Sequence, residues 1–157
     1  MKLRTITVAA ALLFASGTLW AQQQNPTIGT WNLNVAKSKY DPGPPLRSGT
    51  TKFEPSGTDR IKTTVDQVSG QGTRVHYEYT AGFDGKDYPV TGSPEFDSVS
   101  LRRTDPNTTV SVWKKGGTVA RMLRSIVAKD GKTRTIDGVG INAQGQAYHN
   151  VVVYDKQ

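Results

Sequence analysis

The sequence predicts an all-β protein, an antiparallel up-and-down β-barrel of about ten strands. Three observations carry that expectation. Apolar and polar side chains alternate with a period of two, glycine-bearing turns recur at short intervals, and no stretch after Thr27 shows a convincing helical face.

The clearest alternation is Thr73–Phe83, where Val75, Tyr77, Tyr79, Ala81 and Phe83 share one face and Arg74, His76, Glu78 and Thr80 the other. A period of two belongs to a strand with one side in a core and one in water. The same pattern runs through Trp31/Leu33/Val35, Ile61/Thr63/Val65 and Val99/Leu101. Between these runs lie Ser69-Gly70-Gln71-Gly72, Asp84-Gly85-Lys86, Asp105-Pro106-Asn107, Lys115-Gly116-Gly117, Asp130-Gly131-Lys132 and Asn142-Ala143-Gln144-Gly145. Asp-Gly and Gly-Gly accept the positive φ of tight hairpins. The strands are expected at 29–36, 48–54, 60–68, 73–83, 87–91, 97–104, 108–114, 118–128, 133–141 and 147–155. Val119–Ala128 is apolar at several helical spacings, but the turns on both sides favour a strand.

Consecutive strands joined by short turns pair with their sequence neighbours. With no helix to cover its apolar face, such a meander closes on itself as a barrel. A two-sheet β-sandwich is the runner-up.

The chain begins with Lys2 and Arg4, then the apolar run Val8–Ala15, which reads as an export signal over residues 1–21. The run is too short for a bilayer core of ~30 Å. Residues 22–157 are then expected to form a single domain, periplasmic or secreted in a bacterium, with no integral membrane segment after cleavage. The chain has no cysteine, so its fold needs no disulfide. The whole sequence carries a net charge of +7, of which Lys2 and Arg4 supply two. The basic residues are scattered, with Arg102-Arg103 and Lys114-Lys115 the longest clusters. Aromatic residues fall mostly on the inward faces, where they cannot stack on bases, so nucleic acid is not an expected partner.

Gly29-Thr30-Trp31 at the first strand resembles the Gly-x-Trp signature of the calycins, the lipocalins and intracellular fatty-acid-binding proteins. Val151–Lys156 resembles the last strand of fatty-acid-binding proteins. The 29–39 opening is also similar to that of a group of small exported bacterial proteins. The resemblance implies a ligand-holding barrel in which Trp31 plugs one end. A basic side chain, Lys132, Arg134 or Lys156, is then expected across the indole face. Two departures stand out. The helical lid of that family is replaced by Ser38–Pro45, whose prolines forbid a helix pair. Its carboxylate-binding Arg-x-Tyr aligns with Val152-x-Tyr154, so that arginine is missing.

Alternation also turns Arg103 inward with Val99 and Leu101, and Arg121 with Leu123 and Val127, unless both reach the rim. Tyr77, Tyr79, Phe83, Arg103, Arg121 and Tyr154 are therefore the candidate ligand-binding residues, suited to an anionic or lipophilic molecule. His76 with Glu78, lone His149, and Asp137 beside Gly138 are weaker candidates for acid–base or metal chemistry. They lack a third ligand, and no nucleophile elbow or phosphate loop appears. The expected function is non-enzymatic binding of a small lipophilic or amphipathic ligand, with no cofactor and no metal. A solid-core barrel acting as an envelope interaction module is the alternative.

Overall fold

A computed structural model of the protein describes residues 25–142 and 144–157. The expected signal peptide, 1–21, lies outside the described residues. One antiparallel sheet contains β1 (Gly29–Leu33), β2 (Lys39–Asp41), β3 (Ser48–Ser56), β4 (Arg60–Val68), β5 (Arg74–Gly82) and β6 (Asp84–Thr91). It continues through β7 (Ser98–Asp105), β8 (Thr108–Lys115), β9 (Thr118–Val127), β10 (Thr133–Ile141) and β11 (Ala147–Lys156). From β3 to β11 each strand pairs with its sequence neighbour, and β1 pairs with both β3 and β11. Those ten strands close the barrel, and the sandwich alternative falls away.

The extra strand is β2. The sequence predicts one strand over 29–36, but β1 stops at Leu33 and Val35–Lys37 form a 3-10 turn. The Asn34 side chain accepts from the Lys37 N–H at 3.1 Å and fixes that turn. The chain then returns to the same neighbour: β1 pairs with β11 over Tyr154–Lys156, and β2 pairs with it over His149–Val151. A single edge is thus made in two pieces. Thr118–Val127 is a strand, as the flanking turns require, paired on both sides.

The inward rows follow the predicted alternation. Phe53, Ile61, Val65, Tyr77, Tyr79 and Ala81 are all buried, and each large apolar side chain so buried contributes about 1.5–3 kcal/mol. Trp31 is 0% exposed and sits at the end of the barrel that the Asn25–Ile28 turn covers. Its indole N–H donates to the Thr27 carbonyl at 2.8 Å, so the one polar atom of the plug is satisfied. Of the three cations expected over the indole, Lys156 takes the place, with Nζ 5.1 Å from the ring centroid. Gly29 makes this possible. Its φ is +125°, and a Cβ there would lie 2.8 Å from Lys156 Cε.

Candidate functional site

The opposite side of the lumen departs from a purely apolar core. Cross-strand register aligns Trp113 with Arg121 and Val127 with Arg134, and both guanidinium side chains point inward. Arg121 lies against two aromatic faces, its guanidinium carbon 4.2 Å from the Phe96 centroid and 4.4 Å from the Trp113 centroid. Arg134 is only 9% exposed and packs over Phe53 at 4.6 Å and Tyr154 at 5.9 Å. Its Nε–H donates to Ser125 Oγ at 2.7 Å. These contacts soften the desolvation of two cations but do not neutralise them.

Neither guanidinium forms an ion pair among the described residues. Arg134 Nη1 and Arg121 Nε are buried with no hydrogen-bond partner. Burial pushes the Arg134 pKa below its ordinary value, and the groups acting back on it are the phenols of Tyr79, Tyr154 and Tyr77. Burial likewise raises Tyr79, which lies within the field of both arginines. Tyr154 is pushed up to about 12, chiefly by burial, so it is a neutral hydrogen-bonding phenol at physiological pH. The interior therefore holds fixed positive charge among neutral phenols, an arrangement complementary to an anion.

The six expected ligand-binding residues divide into groups. Tyr77 and Tyr79 meet Trp113 edge-on, with centroids 5.8 and 5.4 Å apart. Phe96 completes that cluster at 5.4 Å. Tyr154 joins Arg134, while Arg121 lies nearer the other end of the barrel. Arg103 is exposed at the rim and stacks on Phe83, its guanidinium carbon 4.0 Å from the ring centroid. There it lines a cleft of about 400 Å³ with Asn25, Pro26, Thr104, Asp105 and Pro106. The structure does not bring Arg103 and Arg121 together.

Arg134 is the residue that sequence reasoning placed elsewhere, across the indole. Its signal was available: Arg134 is two residues from inward Ile136, after the Asp130-Gly131 turn. Phe96 lies between β6 and β7, where no alternation could flag it. The weaker candidates resolve as surface pairs. His76 Nδ1 meets Asp66 at 2.7 Å, Glu78 instead pairs with Lys62, and His149 Nε2 meets exposed Asp137 at 2.8 Å. Among the described residues no group of three or more His, Asp or Glu side chains converges as a metal site. No described helix is long and apolar enough to cross a membrane.

No protein-family model matches the chain, and no curated protein matches it in sequence. Solved structures do match in shape. EF1p2_mFAP2b, solved bound to DFHBI, is 10% identical, with a TM-score of 0.53 over 84% of this chain and 94% of that one. The protein has a calycin-like barrel fold. A redesigned β-barrel, b11L5F_LGL, is 11% identical, with a TM-score of 0.48 over 84% of this chain and 92% of its own. The siderocalin Ex-FABP is also 11% identical, with a TM-score of 0.38 over 84% and 71% of the two chains. At such identities the likeness of this calycin-like barrel to EF1p2_mFAP2b concerns fold alone.

Proposed function

We propose that this protein is an exported, periplasmic or secreted, non-enzymatic binder of a small amphipathic anion, built as a single domain over residues 22–157. One observation carries the reading: two inward guanidiniums, Arg121 and Arg134, keep buried N–H groups unpartnered and face phenols rather than carboxylates. A barrel interior left with unbalanced positive charge gains from a bound oxyanion what a neutral ligand cannot supply. That EF1p2_mFAP2b was solved with a small molecule bound adds support from a barrel of similar shape.

The reading is tested with two fluorophores of nearly the same skeleton, the anion anilinonaphthalene sulfonate and neutral N-phenylnaphthylamine. Preferential binding of the sulfonate, weakened about tenfold by Arg121→Met, is the expected result. Equal binding of both dyes, or indifference to Arg121→Met, counts against it. A second reading has its own support, because the Trp113 cluster with Tyr77, Tyr79 and Phe96 fills the middle of the barrel. In that case the barrel is a solid interaction module, and neither dye binds.

A further inference from the structure

A cleft of about 520 Å³ lies at the rim opposite Trp31, where β1 and β4 end and β3 and β5 begin. It is separate from the lumen arginines. Its wall is a set of in-register rows: Asn32, Thr50, Asp66 and His76 across four strands, then Ser48, Val68 and Arg74 beside them. Arg47 completes it from the chain just before β3.

Arg47 is positioned but not neutralised. Its backbone N–H donates to the Val68 carbonyl at 2.9 Å, and its side-chain Nε–H donates to the Gly70 carbonyl at 3.0 Å. The turn that supplies this carbonyl is itself fixed. Gly70 sits so close under Pro44 that a Cβ would meet Pro44 Cβ at 2.5 Å and the Pro45 carbonyl oxygen at 2.8 Å. A carboxylate partner would have cancelled the charge, whereas a carbonyl holds the side chain and leaves the charge available. Arg74 stands directly opposite Val68 in the register, whose carbonyl holds the Arg47 backbone. Neither arginine forms an ion pair among the described residues.

The single carboxylate in the lining, Asp66, is engaged by His76 Nδ1. Neutral hydrogen-bonding groups make up much of the remainder. Asn32 Oδ1 accepts from the Thr50 hydroxyl at 3.0 Å, which turns the Asn32 amide so that its NH₂ remains a donor. Gln67 lies alongside. One anchored cation, Arg47, a second at Arg74, amide donors and hydroxyls in a space of this size suit a small polar oxyanion carrying hydroxyl groups.

We infer that this rim cleft is a second binding site, for a hydroxylated oxyanion of the sugar-acid or sugar-phosphate class, with Arg47 and Arg74 as its anion-holding residues. The inference stands on observations independent of the lumen and survives if the lumen binds nothing.

Proton–nitrogen correlation spectra of the purified protein, titrated separately with glucuronate, glucose phosphate and glucose, decide it. Saturable shifts confined to residues 47–50, 66–68 and 74–76 are expected with glucuronate or glucose phosphate and absent with glucose. Which of the two anions shifts them more separates carboxylate from phosphate. Arg47→Met with Arg74→Met should weaken the response about tenfold or more while the remaining spectrum confirms the fold. Arg121→Met should leave it unchanged. The inference is overturned by no shifts with either anion, by equal shifts with glucose, by shifts spread over all basic surfaces, or by indifference to the double variant.

Discussion

The two walls of the barrel are built to different rules. On β3–β5 the inward rows carry Phe53, Ile61, Val65, Tyr77, Tyr79 and Ala81 with Thr51 and Thr63 among them, all buried and uninterrupted by charge. On β9–β11 the inward positions include Arg121, Arg134, Gly138, Gly140 and Asn150, with the Leu123 tip over Gly138 and the Tyr148 phenol over Gly140. The outer side of that second wall exposes Met122, Val139 and Ile141. The first wall is an apolar scaffold, whereas the second carries the interior's positive charge.

The heaviest blow to that contrast is removal of the side chain joining the walls. Trp113 touches Tyr77 and Tyr79 of one wall and Arg121 of the other, and its N–H donates to Ser111 Oγ at 2.9 Å. Trp113→Ala is expected to cost about 3–5 kcal/mol in urea unfolding. A loss below about 1 kcal/mol would mean the walls do not depend on it.

Next comes alkaline pH. Tyr154 has its folded-state pKa raised to about 12 from the ordinary phenol value of 10.0. A raised folded value means this stability is fully present below the unfolded pKa and drains away as pH climbs toward the folded one. Protein stability should therefore fall between about pH 10 and 12, by roughly 2–3 kcal/mol from this group. Buried Tyr79 adds in the same direction. Tyr154→Phe should flatten the slope of unfolding free energy against pH in that window.

The glycines of the second wall give a smaller, sharper test. A Cβ at Gly140 would meet the Ala120 carbonyl oxygen at 2.6 Å, whereas at Gly138 it would meet the terminal Leu123 Cδ2 at 2.5 Å. Backbone cannot step aside and a leucine tip can. Gly140→Ala is expected to cost about 1–3 kcal/mol and Gly138→Ala distinctly less. Thermal melts showing the reverse order would refute this account of the wall.

The mildest change is at the plug. Lys156→Met removes the cation over Trp31 but keeps much of the covering stem, so a loss of about 0.5–1 kcal/mol is expected.

The ten barrel strands, most hairpin positions and the inward rows of β3–β5 were legible because alternation and turn residues are local properties, whereas Asp84-Gly85-Lys86, expected as a turn, lies inside β6 at a bulge. Trp31 as an end plug was an expectation from the Gly-x-Trp resemblance, and the structure buries its indole with the N–H on the Thr27 carbonyl. The break after Leu33 was not, since it depends on β11 accepting β1 and β2 at different heights along its length. The placement of the candidate arginines was half legible. Alternation turned Arg121 inward correctly, yet could not tell that Arg103 lies far enough along β7 to reach the rim and rest on Phe83.

By itself, the sequence determined that this chain is an antiparallel meander with an aromatic interior, because period-two patterning and turn chemistry act within a few residues, while the β1–β11 pairing decided barrel over sandwich. Only the tertiary structure decided where the charges sit. Arg134 became a buried cation through its register with Val127 and Tyr154, and Arg47 an anchored one through a turn more than twenty residues away. Such placements arise from closure of the sheet, which fixes how distant strands face one another and leaves no trace in local spacing.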